Sequence, residues 1–150
     1  KKFSRIMSLK DGIKKMSKSD PSDLSRINLT DGKDEIINKI KKAKTDASLM
    51  PESIEDLNKR PEVENLLVIY SSLNNQNLEK SISEFQRQNF SEFKKRLSDV
   101  LIEKIEPISR EIKKLLNDEK YLDRILLEGS NKAGKIASKK MEEIKQIVGF

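Results

Sequence analysis

Seven apolar residues, Phe93, Leu97, Leu101, Ile105, Ile108, Ile112 and Leu115, return every three or four positions. That spacing places them on one face of a long helix and excludes a strand, whose side chains alternate every two positions. The same period governs most of the chain after residue 31. Ile36, Ile37 and Ile40 follow Asp31, which is suited to cap a helix, and Asp34 and Glu35 sit in its favourable first turn. Val63, Leu66, Leu67, Tyr70 and Leu73 follow Pro61, a residue suited to the first turn of a helix. Asn77 is expected to cap a short helix carrying Leu78, Ile82 and Phe85, and Ser91 to cap the helix of the long stripe. Pro107 lies inside that stripe and predicts a kink or a split. Asp118 opens a further helix that Gly129 is expected to stop, and Ser130 opens a last one ended by Gly149. Residues 45–60 read as irregular. The expected fold is mainly α, a bundle of about six helices, each burying a single stripe.

The first thirty residues differ. Arg5–Leu9, RIMSL, reads as a short strand, Asp11-Gly12 as a turn, and Asp20-Pro21 as the close of a loop. Residues 1–26 carry eight basic and three acidic side chains, which is five of the six net positive charges of the chain. The charge is therefore focused. It suits one anion site near the N-terminus better than a coat for nucleic acid.

Composition removes several chemistries. There is no Cys, hence no disulfide and no thiolate metal site, and no His, hence no His-based triad, proton shuttle or ordinary zinc site. No run approaches the ~18 apolar residues of a membrane span. A membrane-surface bundle would need a basic amphipathic helix rich in Trp or Phe, whereas Trp is absent and the basic excess lies in a polar loop. An intracellular, cytoplasmic protein is expected. No metal site made by the protein itself is expected.

Most carboxylates have Lys or Arg three or four places away, the pattern of helix-surface pairing rather than catalysis. Tyr70 reads as core with its hydroxyl at the edge. Lys132, Lys135 and Lys139 share one helix face, either a solvated face or a set of phosphate contacts, and Lys94, Lys95 and Arg96 form the densest basic cluster. No Gly-rich phosphate loop is present.

The stretch KKMSKSDPSD, Lys14–Asp23, is different. It could be a solvated Lys/Ser linker. Yet lysine ammonium groups are compact charges on flexible stems, suited to phosphate, and two of them three positions apart can converge on a polyphosphate. A phosphoryl or nucleotidyl transfer site requires such charge where leaving phosphates accumulate it.

Lys15-Met16-Ser17-Lys18-Ser19 also resembles the KMSKS signature of class I aminoacyl-tRNA synthetases. RIMSL before it, NLLVIYSSL (Asn65–Leu73), FKKRLSDVLIEKIEPI (Phe93–Ile108) and LLEGSNKAGKIAS (Leu126–Ser138) resemble the bacterial tryptophanyl-tRNA synthetase family, and the likeness runs from Arg5 to the C-terminus. Tyrosyl-tRNA synthetases are the nearest relatives of that family. The resemblance implies activation of tryptophan by ATP, with Mg2+ bound along with the nucleotide, and transfer to tRNA(Trp). It implies that Lys15 and Lys18 contact the departing pyrophosphate, that Met16 and Ser17 lie against the nucleotide, and that Ser19 helps set the closed loop. No general base is needed, because the attacking carboxylate is already ionised.

The family's Rossmann-like half, with its HIGH-type signature and tryptophan pocket, is expected to precede this segment. The chain is thus expected to be a C-terminal portion, inactive alone, from an enzyme that works as a homodimer. Residues 1–30 would be the tail of the catalytic domain and 31–150 the helical tRNA-binding domain. A tyrosyl-tRNA synthetase relative and a non-catalytic helical RNA-binding module remain the alternatives.

Overall fold

The computed structural model describes residues 5–149. It divides into two compact units, 1–110 and 111–150. Among the described residues there are two short strands and five α-helices. Strands β1 (Met7–Ser8) and β2 (Asp11–Lys15) form an antiparallel hairpin with a register irregularity between Met7 and Ser8. Helices α1 (Lys33–Lys42), α2 (Pro61–Leu73), α3 (Leu78–Phe85), α4 (Phe90–Leu116) and α5 (Glu119–Val148) follow. Single 3-10 turns occupy Asp23–Ser25 and Glu55–Leu57. The mainly helical fold expected from the apolar periodicity is present.

The first unit has its core around α2, which is buried on nearly every side from Val63 to Ser71. Ile36 and Ile40 of α1, Leu66 and Leu67 of α2, and Phe93 and Leu97 of α4 are fully enclosed. Tyr70, Phe85 and Phe93 meet edge to face, with centroids 5.0 to 5.9 Å apart. Edge-to-face contact aligns the positive rim of one ring with the negative face of the next. Where α2 crosses α3, the buried Ser71 and Ser81 hydroxyls share a 2.6 Å hydrogen bond, and Ser71 also donates to the Leu67 carbonyl.

The hairpin is docked onto this core by backbone groups. Leu9 N–H donates to the Ser25 carbonyl, and Lys44 N–H donates to the Leu9 carbonyl at 2.7 Å. Gly12 lies so close to the backbone of Pro61 and Glu62 that no Cβ would fit there. The turn expected at Asp11-Gly12 is therefore the first part of β2. A flat backbone approach to the start of α2 explains why glycine stands at this position.

Several expected boundaries shift. Asp31 does not cap α1. Gly32 occupies the N-cap, its N–H bonded to the Glu35 carboxylate at 2.7 Å, while Asp31 turns inward to Lys39. Asn77 and Asp118 do cap, each side-chain oxygen accepting from the amide three residues on. Helix α4 starts at Phe90 and is not split at Pro107. One proline removes one ladder bond, and buried Ile105 and Ser109 hold the helix on both sides of it, Ser109 through a 3.1 Å bond to the Thr30 carbonyl. The stripe is buried as far as Ile105, but Ile108 and Leu115 are 45% and 40% exposed.

The second unit holds the end of α4 and α5, one continuous helix through Gly129 and Ser130, so two expected helices are one. A lone glycine in a helix interior costs about 1 kcal/mol relative to alanine but does not stop the ladder. The helix ends where the backbone turns left-handed. Of the glycines in this stretch Gly149 alone does so, at φ 86°, with its N–H on the Lys145 carbonyl. None of the residues of α5 is buried. Among the described residues, no helix is long and apolar enough to cross a membrane.

Candidate functional site

The basic segment leaves β2 at Lys15 and forms a loop from Met16 to Asp20. Its entrance is tied down: Met16 N–H donates to the Ile6 carbonyl, and the Met16 side chain packs against the core. Inside the loop, Ser17 and Ser19 hydroxyls lie 3.1 Å apart, Ser19 N–H donates to the Ser17 hydroxyl, and Asp20 N–H donates to the Ser17 carbonyl. This is the local side-chain to backbone bonding that makes serine a turn former. Met16 and Ser17 are half-buried, whereas Lys15, Lys18 and Ser19 are exposed. Among the ion pairs of the described residues, neither Lys15 nor Lys18 takes part. The arrangement presents two uncompensated ammonium groups on a loop whose root is fixed and whose tips are free to reach an anion.

The loop closes on Asp20. Its carboxylate accepts Ser22 N–H at 2.8 Å and pairs with Lys14 at 3.2 Å, and these contacts hold its pKa below the usual carboxylate value. Beyond it stands Arg26, half-buried. One guanidinium nitrogen, Nη1, donates to the carbonyls of Asp20 and Ser22, Nε donates to Asn28 Oδ1, and Nη2 pairs with Asp23 at 2.9 Å. Asp23 in turn pairs with Lys39 of α1 at 2.6 Å, and Lys39 also pairs with buried Asp31 at 2.6 Å.

Lys39 is itself 3% exposed. Burial alone would lower its pKa, but the hydrogen bonds it donates to Asp23 and Asp31 outweigh that and raise it. Asp23 is held low chiefly by Lys39, with Asn28 and Arg26 adding to the effect. A buried ammonium between two carboxylates has the compensation that a lone buried charge lacks.

The other basic clusters are distributed unevenly. Lys94 is only part of a surface patch. Its ammonium donates to the Ala43 carbonyl at 2.7 Å and the Lys41 carbonyl at 3.3 Å, at the C-terminal end of α1, where backbone carbonyls attract cations. Burial lowers its pKa. Together with Lys41, Lys95, Ile37 and Phe90 it lines a cleft of about 550 Å³ between α1 and α4. On α5, Lys135 and Lys139 lie on one exposed helix face beside Ser138 and Glu142, with Lys132 a turn before them. Among the described residues, no group of three or more His, Cys, Asp or Glu side chains could hold a metal ion.

A comparison with protein families decides what kind of chain this is. The family model described as tRNA synthetases class I (W and Y) matches residues 2–123. The chain belongs to that family. The synthetase segment is 49% identical to the tryptophan–tRNA ligase of Agrobacterium fabrum over 146 residues, which cover 97% of this chain and 41% of that protein. It is 50% identical to the corresponding ligase of Rickettsia felis over 146 residues, covering 97% of this chain and 44% of that protein. Among solved structures it resembles the crystal structure of tryptophanyl-tRNA synthetase from Mycoplasma pneumoniae, with a TM-score of 0.61 and 27% identity, over 73% of this chain and 34% of that one. The segment thus spans less than half the length of these relatives.

In this synthetase segment, sequence reading singled out the loop residues 15–19 but passed over Arg26 and Lys39 and read Asp31 as a helix cap. Arg26 and Asn28 sit in an unpatterned stretch. Lys39 looked like one more surface lysine of α1. Its one distinguishing sign is position: it is next to Ile40 and three residues after Ile36, on the stripe that packs inward.

Proposed function

We propose that this chain is the signature-loop and helical portion of a tryptophan–tRNA ligase, a cytoplasmic enzyme that activates tryptophan with ATP and transfers it to tRNA(Trp). The observation that carries this reading is the pair Lys15 and Lys18, exposed and outside every ion pair of the described residues, on a loop whose entrance is fixed by a backbone bond and whose exit is held by Arg26. The high identity to ligases of that name along nearly the whole segment supports the choice of amino acid.

The residues fit the phosphate end of ATP. The ammonium groups of Lys15 and Lys18 supply positive charge where negative charge grows on the departing pyrophosphate, and a cation already in place needs no reorganisation as that charge develops. Met16 and Ser17, half-buried at the loop root, are the residues suited to lie against the nucleotide. The Ser19 hydroxyl, bonded to that of Ser17, holds the loop turn. Mg2+, carried with the nucleotide, would neutralise phosphate charge beside the lysines. Residues 1–30 act as the tail of the catalytic domain and 31–150 as the helical domain that approaches tRNA. The tryptophan pocket and the partner surface of a homodimer are assigned to the rest of the enzyme.

The test is tryptophan-dependent exchange of pyrophosphate into ATP in the full-length enzyme. Lys15→Ala and Lys18→Ala should each slow it by on the order of tenfold to a thousandfold, with tryptophan affinity nearly unchanged. Wild-type rates in both variants would remove the catalytic assignment and favour a helical RNA-binding module.

A further inference from the structure

The signature loop has two ends, and the structure fixes them differently. The entrance is held by β2 and by the Met16–Ile6 backbone bond. The exit, Asp20–Ser22, has no strand partner. Its carbonyls at Asp20 and Ser22 both point to a single group, the Arg26 guanidinium, at 2.9 and 3.4 Å. That guanidinium is not free to swing. Asn28 Oδ1 fixes its Nε at 3.1 Å, and Asp23 fixes its Nη2 at 2.9 Å. Asp23 is anchored in turn to Lys39, which buried Asp31 locks into α1.

A planar fork of five donors is suited to such a node, since each bond made restricts the others. The Arg26 side chain is only 17% exposed, so its bonds face little competition from water. Arg26 acts on the loop through the backbone carbonyls one and three residues beyond Ser19.

We propose that Arg26 is a positioning residue for adenylate formation: it clamps the exit of the Lys15–Ser19 loop to α1 through Asp23 and Lys39, and so sets where Lys18 stands. The inference rests on the reading of the loop as a phosphate-contacting element. A cation placed an ångström away from developing charge forfeits much of its effect, so the clamp is a condition of the loop's electrostatics and not merely of its fold. Arg26→Lys keeps the charge but loses the fork, and Arg26→Gln loses both, so the two variants separate charge from geometry.

In the full-length enzyme, both variants should slow pyrophosphate exchange by on the order of tenfold while the KM for tryptophan moves by no more than about twofold. Amide hydrogen exchange should quicken at residues 16–22 and stay unchanged in the helices of the first unit. In a Lys18→Ala background the further cost of Arg26→Gln should largely vanish, because a group that acts only by placing Lys18 has nothing left to place. Full additivity of the two substitutions, or unchanged protection at residues 16–22, overturns the role of Arg26 while leaving the loop assignment standing. A Lys18→Ala enzyme of wild-type rate fails earlier, at the loop reading, and overturns both.

Discussion

The side-chain amide of Asn65, on α2, closes a two-bond ring with the backbone of Met7, accepting from its N–H and donating to its carbonyl, both at 2.8 Å. The asparagine behaves as a neighbouring strand would. It satisfies the free edge of a two-residue strand and fixes the hairpin that carries the signature loop. Two such strands alone would be marginal in water, so the helix supplies what the sheet lacks.

Replacing Asn65 by Ala should therefore leave two backbone groups of Met7 without partners in a mostly buried place. A loss of about 1–3 kcal/mol per unsatisfied group is the expected scale. Asn65→Asp should be comparably harmful despite its similar shape, since a carboxylate cannot donate to the Met7 carbonyl. Thermal or urea unfolding of the chain with each substitution checks both expectations. Asn65→Asp matching wild type would show that the donor half of the ring contributes nothing.

Gly12 sets a second condition on the same hairpin. A Cβ at this position would collide with backbone atoms of Pro61 and Glu62, which cannot yield as the end of a flexible side chain can. Gly12→Ala should push β2 off the start of α2, at about 1–3 kcal/mol for overpacking and more if the helix terminus resists. The 2.7 Å pair between Lys44 and Glu62 beside it should break as well. Ion-pair loss at that surface is worth little, so the backbone collision decides the outcome. Unfolding midpoints measured against Gly134→Ala, an α5 position with open space around it, isolate the steric term.

Much of this architecture was legible because one period ran through it. Ile36 and Ile40, Leu66 and Leu67, and Phe93, Leu97 and Leu101 are buried where their spacing put them. The same spacing continues into Ile108 and Leu115, and through Ile125, Ile136 and Ile144 of α5, all of which are exposed. Periodicity reports that a helix has an apolar face; it does not report what lies against that face. Asp31 shows a different limit. An aspartate before a helix reads as a cap by local chemistry, but the Asp31 carboxylate is taken by the Lys39 ammonium eight residues on and by the Asn28 amides before it, not by the first turn of α1. Asn65, Arg26 and Lys39 were illegible for the same reason, because their partners are brought together only by the tertiary fold or by an irregular turn. The loop residues 15–19 stood out because phosphate chemistry imposes composition and spacing on a short, continuous stretch.

Charge pairing gives the first unit a defined response to pH. Asp20, Asp23, Asp46 and Glu62 all have lowered pKa values, through Ser22 N–H and Lys14, Lys39, Arg60 and Lys44 respectively. Their contribution is present above the unfolded carboxylate pKa of about 4 and is lost as pH falls through the folded values. Lys39 and Lys44 are raised, so their contribution holds below the unfolded pKa of about 10.4 and is lost as pH rises through the folded values. Lys94, lowered by burial, works in the opposite direction and offsets part of the alkaline loss. The unfolding midpoint should be flat across neutral pH and fall on both sides. Asp23→Asn should shrink the acid limb, and a limb of unchanged depth would show that the Lys39 pair carries no linkage.

The remaining lysines are candidate phosphate contacts. The segment after residue 26 is close to neutral overall, so bulk attraction cannot hold tRNA there and any grip must be local. Lys135 and Lys139 lie on one exposed face of α5 with Lys132 a turn before them, whereas Lys94 is occupied by carbonyls and is the weaker candidate for phosphate. We propose that the α5 lysines contact tRNA phosphates. Changing Lys132, Lys135 and Lys139 to Gln in the full-length enzyme should weaken tRNA binding. It should also flatten the salt dependence of log affinity by roughly 0.7 to 0.9 for each phosphate that is no longer neutralised. Discrimination among anticodons should persist, because phosphate contacts position the RNA while bases specify it. Affinity measured across a salt series reads both effects. A slope equal to that of the wild type would make the three lysines a solvated helix face. A flattened slope with impaired discrimination would place them against bases instead.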